Sequence, residues 1–197
     1  MKPRTPEQSF RINVPLRGNR DYLHSTNLFD FLVARTRAHR NLMLMFRRKI
    51  TCEVQACPAT QGRDPQSYPA RFIGEGNDGR TDLFLTEAHP LTPLGQREPY
   101  NEDAVAAGSR IEGNAILSDE HNGASAIERM VALNKRLLSS IVQERRVLVF
   151  SKISLASLPD RKARLKVMLL SRLGMTLFRS RIFVNETEFG EIVFYGT

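Results

Sequence analysis

From residue 145 to the C-terminus, apolar side chains recur at every second position through four consecutive stretches, RRVLVFSKISL, ARLKVMLLSRL, MTLFRSRIFVN and EFGEIVFYG. Leu165, Val167 and Leu169 alternate with Lys166 and Met168, and Phe178, Ser180, Ile182 and Val184 alternate with Arg179, Arg181 and Phe183. A period of two is that of strands with one buried face. Turn-forming residues separate the stretches: Leu158, Pro159 and Asp160 after the first, Gly174 after the second, and Asn185 to Glu188 after the third. They read as successive antiparallel strands. Strands of this kind need a layer to bury against. The chain supplies one over residues 123–144, where Ile127, Met130, Val131, Leu138, Ile141 and Val142 fall at helical spacing while Glu128, Arg129, Lys135, Arg136 and Gln143 take other faces. One long helix followed by four strands makes this an α+β chain.

The preceding residues are read more coarsely. Residues 1–22 mix Pro, Arg, Asn and Gly without periodicity and suit an irregular N-terminal arm. A Ser/Thr/Asn cluster before Leu28, Phe29, Leu32 and Val33, with Arg35, Arg37 and Arg40 following, gives the start chemistry and end charge of a helix over about 27–38. NLMLMFRRKITCEVQA reads as one strand, and YPARFIGEG pairs with TDLFLTEAH as a hairpin turning at Asn77, Asp78 and Gly79. Residues 89–118, with Pro90, Pro93, Gly95, Pro99, Gly108 and Gly113, read as a long connection, a feature often tied to function. A length of 197 residues fits an arm, 1–22, and a single domain, 23–197.

The order of strands, one long helix and four more strands resembles the hot-dog fold, a curved antiparallel sheet wrapped around a central helix. The text RRVLVFSKISLASLPDRKARLKVMLLSRLGMTLFRSRIFVNETEFGEIVFYG resembles the beta-hydroxyacyl carrier-protein dehydratase branch. Its cadence is a basic-apolar strand, a Gly-containing turn, an aromatic-rich strand ending in Val, and a last strand bearing a small residue and Glu. The resemblance implies an acyl thioester, of coenzyme A or an acyl carrier protein, held beside the helix at a homodimer interface and dehydrated or hydrolysed there. It places the chemistry in SDEHNGASAIERM, with His121 as general acid/base and Glu128 as the carboxylate that polarises water or hydroxyl. Gly123, beside Asn122, would keep the backbone open near a thioester carbonyl, with the free amides of the helix as an oxyanion site. Read without the resemblance, His121 is a solvent-facing cap residue, and Glu128 is a first-turn carboxylate favoured by the helix dipole. A binding or interaction protein on the same scaffold, without chemistry, is the alternative. A fainter likeness of LSRLGMTLF to chorismate-lyase-like sheets ranks below these.

Charge adds a partner. The chain has 29 Lys/Arg and 21 Asp/Glu, net +8. The window Arg129–Arg181 alone holds 13 basic and two acidic residues, +11. A docking face for an acidic carrier or for the phosphates of coenzyme A is expected around Arg129, Arg136, Arg164, Lys166, Arg179 and Arg181. The substrate-binding set is thus Asn122, Gly123, Arg129, Arg179 and Arg181. Nucleic acid is a less favoured partner, since only Arg179, Arg181 and Phe183 combine base and aromatic on one face. No apolar run reaches the roughly 18–20 residues of a membrane span, and no secretory signal stands at the N-terminus, so a cytoplasmic protein is expected. His24, His39 and His89 stand at no metal spacing, and Cys52 and Cys57 read as reduced, partly buried thiols. No metal and no cofactor are expected.

Overall fold

The computed structural model describes residues 9–59, 67–88, 95–119, 123–142, 147–174 and 176–197. The chain divides into two compact units, Met1–Tyr100 and Asn101–Thr197.

In the first unit the elements are β1 (Phe10–Ile12), β2 (Leu16–Arg17), α1 (Ser25–Thr36), β3 (Arg40–Phe46), β4 (Val54–Pro58), β5 (Ala70–Gly76), β6 (Gly79–Glu87) and β7 (Arg97–Glu98). Five strands pair antiparallel in the order β1-β4-β6-β5-β3, and β2 pairs with β7 in parallel. Leu28, Phe29, Leu32 and Val33 of α1 are buried, and Phe29 meets Phe72 of β5 edge to face. The helix ends where Arg37 turns left-handed, at φ 55°. The hairpin of β5 and β6 stands in the register its sequence implies, with Gly76 opposite Gly79.

Two expectations change here. NLMLMFRRKITCEVQA is two strands, β3 and β4, which do not pair with each other: β3 pairs with β5, and β4 with β1 and β6. The break falls after Phe46, where Arg47, Arg48 and Lys49 are exposed and Ile50 turns inward to accept the Leu23 amide through its carbonyl. Within the stretch read as an irregular arm, β1 and β2 are strands, and Ile12, Val14 and Leu16 are buried.

The second unit holds α2 (Glu102–Val105), β8 (Arg110–Glu112), β9 (Ala115–Ser118), α3 (Ala126–Ile141), β10 (Leu148–Ser157), β11 (Leu165–Leu173), β12 (Leu177–Val184) and β13 (Thr187–Gly196). Its strands run antiparallel in the order β8-β9-β11-β12-β13-β10. α3 packs on β9, β11 and β12, and Ile127, Met130, Val131, Leu137 and Leu138 are buried beneath it. Phe178, Ser180, Ile182 and Val184 are the buried face of β12, as their alternation implied. The small residue of the last strand has a steric cause. A side chain at Gly190 would collide with the Ser154 carbonyl oxygen and crowd Leu155 on β10.

The long central helix is shorter than expected, 16 residues, or about 24 Å. It is also not the fold's single packed helix, because α1 is buried in the other unit. Nor is the C-terminal part a simple meander: β11, β12 and β13 follow one another, but β10 pairs with β13. Leu158, Pro159 and Asp160 therefore begin a crossing connection and not a hairpin turn. The described part of the 89–118 connection carries β7, α2, β8 and β9, because Ala115 to Ser118 are buried and pair with Leu165 to Met168. Each unit thus places two strands before a buried helix and at least four after it.

Candidate functional site

The start of α3 is built by its own sequence. The Ser125 hydroxyl accepts the Glu128 amide at 3.2 Å, and the Glu128 carboxylate accepts the Ser125 amide at 2.6 Å. This is a reciprocal capping box, satisfying two amides that a helix start leaves open. Glu128 is 8% exposed. Before the cap, Gly123 turns left-handed at φ +81°, and among the described residues nothing lies within 4 Å of where its Cβ would be. His121 and Asn122 lie outside the described residues. Gly123, Ser125 and Glu128 thus come together at the helix start.

Arg129, expected on a docking face, is 1% exposed. Its Nη1 donates to the carbonyls of Arg161 at 2.8 Å and Ala163 at 3.0 Å, and its Nη2 to that of Ser118 at 3.4 Å. Burial lowers the guanidinium pKa, and the nearby Asp119 charge partly offsets this. The residue ties α3 to the end of β9 and to the connection between β10 and β11. It offers no charge to a partner.

Several of the other basic residues meet acids from outside their own stretch of sequence. Arg164 pairs with Asp119 at 2.8 Å and Glu186 at 3.1 Å, Arg179 with Glu191 at 2.7 Å, and Arg181 with Glu188 at 3.1 Å. Lys135 holds Glu102 of α2 at 2.6 Å, and Arg136 donates to the Ala106 carbonyl at 2.7 Å. Lys166 stands over the Phe183 ring. The hydrogen bond from Arg179 to Glu191 raises the guanidinium pKa. Counted over the whole unit, 14 Lys/Arg stand against 11 Asp/Glu, +3, and the Met1–Tyr100 unit has 15 against 10, +5. Within the +11 window, Lys135, Arg164, Arg179 and Arg181 thus pair with acids that lie outside it.

Elsewhere, His24 is 4% exposed, bonded to the Thr26 hydroxyl at 2.7 Å and packed on Tyr100. Arg17 and Arg20 also stand over the Tyr100 ring, a grouping the sequence did not signal because β7 brings Tyr100 back to the β2 region. His39 approaches the Arg37 carbonyl, and His89 lies outside the described residues. Cys52 and Cys57 are free, and burial raises the Cys52 thiol pKa. Among the described residues, no three His, Cys, Asp or Glu side chains group as a metal site, and no helix is long and apolar enough to cross a membrane.

Sequence reasoning missed two polar residues. Asn134 and Ser180 are each 0% exposed, and neither the Asn134 amide nor the Ser180 hydroxyl has a hydrogen-bond partner among the described residues. The signal was present for Asn134, a polar residue seven positions after Ile127 on the apolar stripe of α3.

No protein-family model matches this chain. No curated protein sequence matches it. Among solved structures, the chain is similar to the dehydratase domain of RzxB from Pseudomonas fluorescens, at 12% identity over 93% of this chain and 87% of that one, TM-score 0.48. It is also similar to the 12:0-ACP thioesterase from Umbellularia californica, at 10% identity over 96% of each chain, TM-score 0.45. An acyl-ACP thioesterase from Bacteroides thetaiotaomicron is similar at 10% identity over 96% of each chain, TM-score 0.44.

Proposed function

We propose that the protein binds acyl thioesters, carried by coenzyme A or by an acyl carrier protein, on the Asn101–Thr197 unit. In this reading the acyl chain runs along α3, the thioester lies at the Gly123 end, and the protein acts as a homodimer. The supporting observation is a helix buried against β9, β11 and β12 that is entered through a left-handed turn at Gly123. That arrangement gives an acyl chain an apolar wall and gives its polar head a backbone position, Gly123, that carries no side chain of its own. Calorimetry with saturated acyl-CoAs of increasing length tests it. Affinity is expected to rise by up to about 0.8 kcal/mol per added methylene until the chain outruns the helix. Equal affinity for all lengths and for coenzyme A itself refutes it.

The chemistry implied by the resemblance is proton transfer by His121 with Glu128 beside it, leading to dehydration or hydrolysis. One observation favours the second reading, binding without turnover: the Glu128 carboxylate is buried and accepts the Ser125 amide at 2.6 Å, a role it fills without any substrate. Turnover of a panel of acyl-CoA and acyl-carrier thioesters, with His121→Ala beside the unaltered protein, decides between them. Equal background rates select binding alone.

A further inference from the structure

We infer that the outer face of β11, β12, β13 and β10, the side turned away from α3, is a contact between two copies of this chain, related by a two-fold axis that runs along the strands between β12 and β13. The contact goes beyond the reading above, since it lies on the other side of the sheet from the proposed acyl site and needs no ligand.

Register sets which side chains share that face. Residues directly opposite one another in an antiparallel pair project to the same side. Phe178, Ser180 and Ile182 of β12 are buried on the inner side, so Leu177, Arg179, Arg181 and Phe183 project outward. Leu177 stands opposite Leu173 of β11 and Tyr195 of β13, and Tyr195 stands opposite Val149 of β10. An apolar row thus crosses all four strands. Leu173 is 71% exposed, Tyr195 47%, and Val147, two residues before Val149, 62%. Large apolar side chains gathered on one face in this way mark a surface that a partner covers.

The rows beside it set the partner. Outward-facing cations, Arg179 and Arg181, stand on β12, and outward-facing anions, Glu188 and Glu191, on β13. Arg181 is opposite Glu191, and Phe183, with the Lys166 ammonium over its ring, is opposite Glu188. A uniformly acidic or basic partner would be repelled by one strand or the other. A second copy is not, because the two-fold axis lays each β12 over the other copy's β13. Leu177 then falls on the partner's Tyr195, Leu173 on the partner's Val149, Arg181 on the partner's Glu191, and the Lys166–Phe183 pair on the partner's Glu188. Lys152, opposite Val193, falls on the partner's Ser171, so no like charges meet in these rows. Self-complementarity of this kind is what an isologous contact requires. Four strands at about 4.8 Å and eight residues at about 3.4 Å give a face of roughly 19 by 27 Å, about 500 Å² in plan. Side-chain relief brings that near the roughly 600 Å² per partner at which specific interfaces begin.

Sedimentation equilibrium of the full chain is the test. The unaltered protein is expected to associate, and Tyr195→Glu, which puts a charge into the apolar row, to halve the associated mass. Arg181→Glu sets carboxylate on carboxylate, Glu191→Arg sets guanidinium on guanidinium, and each is expected to weaken association at least about 100-fold. Mixed one to one, these two variants are expected to associate as the unaltered protein does, because both contacts across the axis then join opposite charges. Restoration by mixing is a result that misfolded variants cannot give. Unaltered protein that stays monomeric at roughly 100 μM overturns the inference, as does association that all three variants leave intact. A monomer that binds phosphatidylglycerol vesicles, and loses them with Tyr195→Glu, overturns it in favour of a lipid surface. Acyl-CoA calorimetry on the Tyr195→Glu variant is read separately: retained dependence on chain length leaves the acyl-thioester reading standing whichever way association falls.

Discussion

Replacing Arg129 by Met separates two roles for the most buried cation in the Asn101–Thr197 unit. Two of its three hydrogen bonds are short, to Arg161 at 2.8 Å and Ala163 at 3.0 Å, and the third, to Ser118, is 3.4 Å. A hydrogen bond to a charged group contributes about 1.5–3 kcal/mol, so the two short ones together give about 3–6 kcal/mol. Met recovers part of this, because a buried guanidinium carries a desolvation cost, the cost visible in its lowered pKa. Arg161 is exposed, so its carbonyl can turn to water, whereas Ala163 is buried and its carbonyl is left without a donor. The net loss is expected to be about 2–4 kcal/mol, a fall in melting temperature of roughly 5–15 °C. Urea denaturation measures the loss. Hydrogen exchange at the Ala163 amide, which donates to the Asp160 carbonyl, reports whether the β10–β11 connection loosens. Arg129→Lys is expected to do no better, since an ammonium keeps the buried charge and cannot span two carbonyls as a planar fork does. A variant within about 0.5 kcal/mol of the unaltered protein, with unchanged exchange, would refute the reasoning.

Glu128→Ala is expected to cost about 1 kcal/mol through the lost capping box, while Glu128→Gln, which still accepts the Ser125 amide, costs less; thermal melts compare them. Gly190→Ala is expected to destabilise by about 1–3 kcal/mol or more by urea denaturation, since β10 backbone occupies the space of the new methyl. Retention on heparin is expected to be weak for a chain of pI near 10.0, and Glu188→Gln with Glu191→Gln to strengthen it by releasing Arg181 and Arg179. Cys52 should alkylate with a pH midpoint above that of free cysteine, because burial keeps its thiol protonated; a midpoint at the free value would contradict that.

The sequence by itself determined what depends on near neighbours. Strand alternation placed β11, β12 and β13, because a period of two needs only successive residues. The spacing of Ile127, Met130, Val131 and Leu138 placed α3, and the Asn77–Asp78 turn placed the β5–β6 hairpin. Tertiary structure decided whatever depends on residues far apart in the chain. That β10 pairs with β13 follows from a crossing connection that Pro159 and Asp160 permit but do not specify. That α1, like α3, is followed by at least four strands appears only once β3 and β4 separate. Four basic residues of Arg129–Arg181, Lys135, Arg164, Arg179 and Arg181, meet Glu102, Asp119, Glu186, Glu188 and Glu191, all outside that window, because folding sets distant segments side by side. The candidate site divides in the same way. The Ser125–Glu128 cap is a spacing of three residues and is written in the chain. The full burial of Asn134 and Ser180 is a property of the packed core, since only folding removes water from a polar side chain.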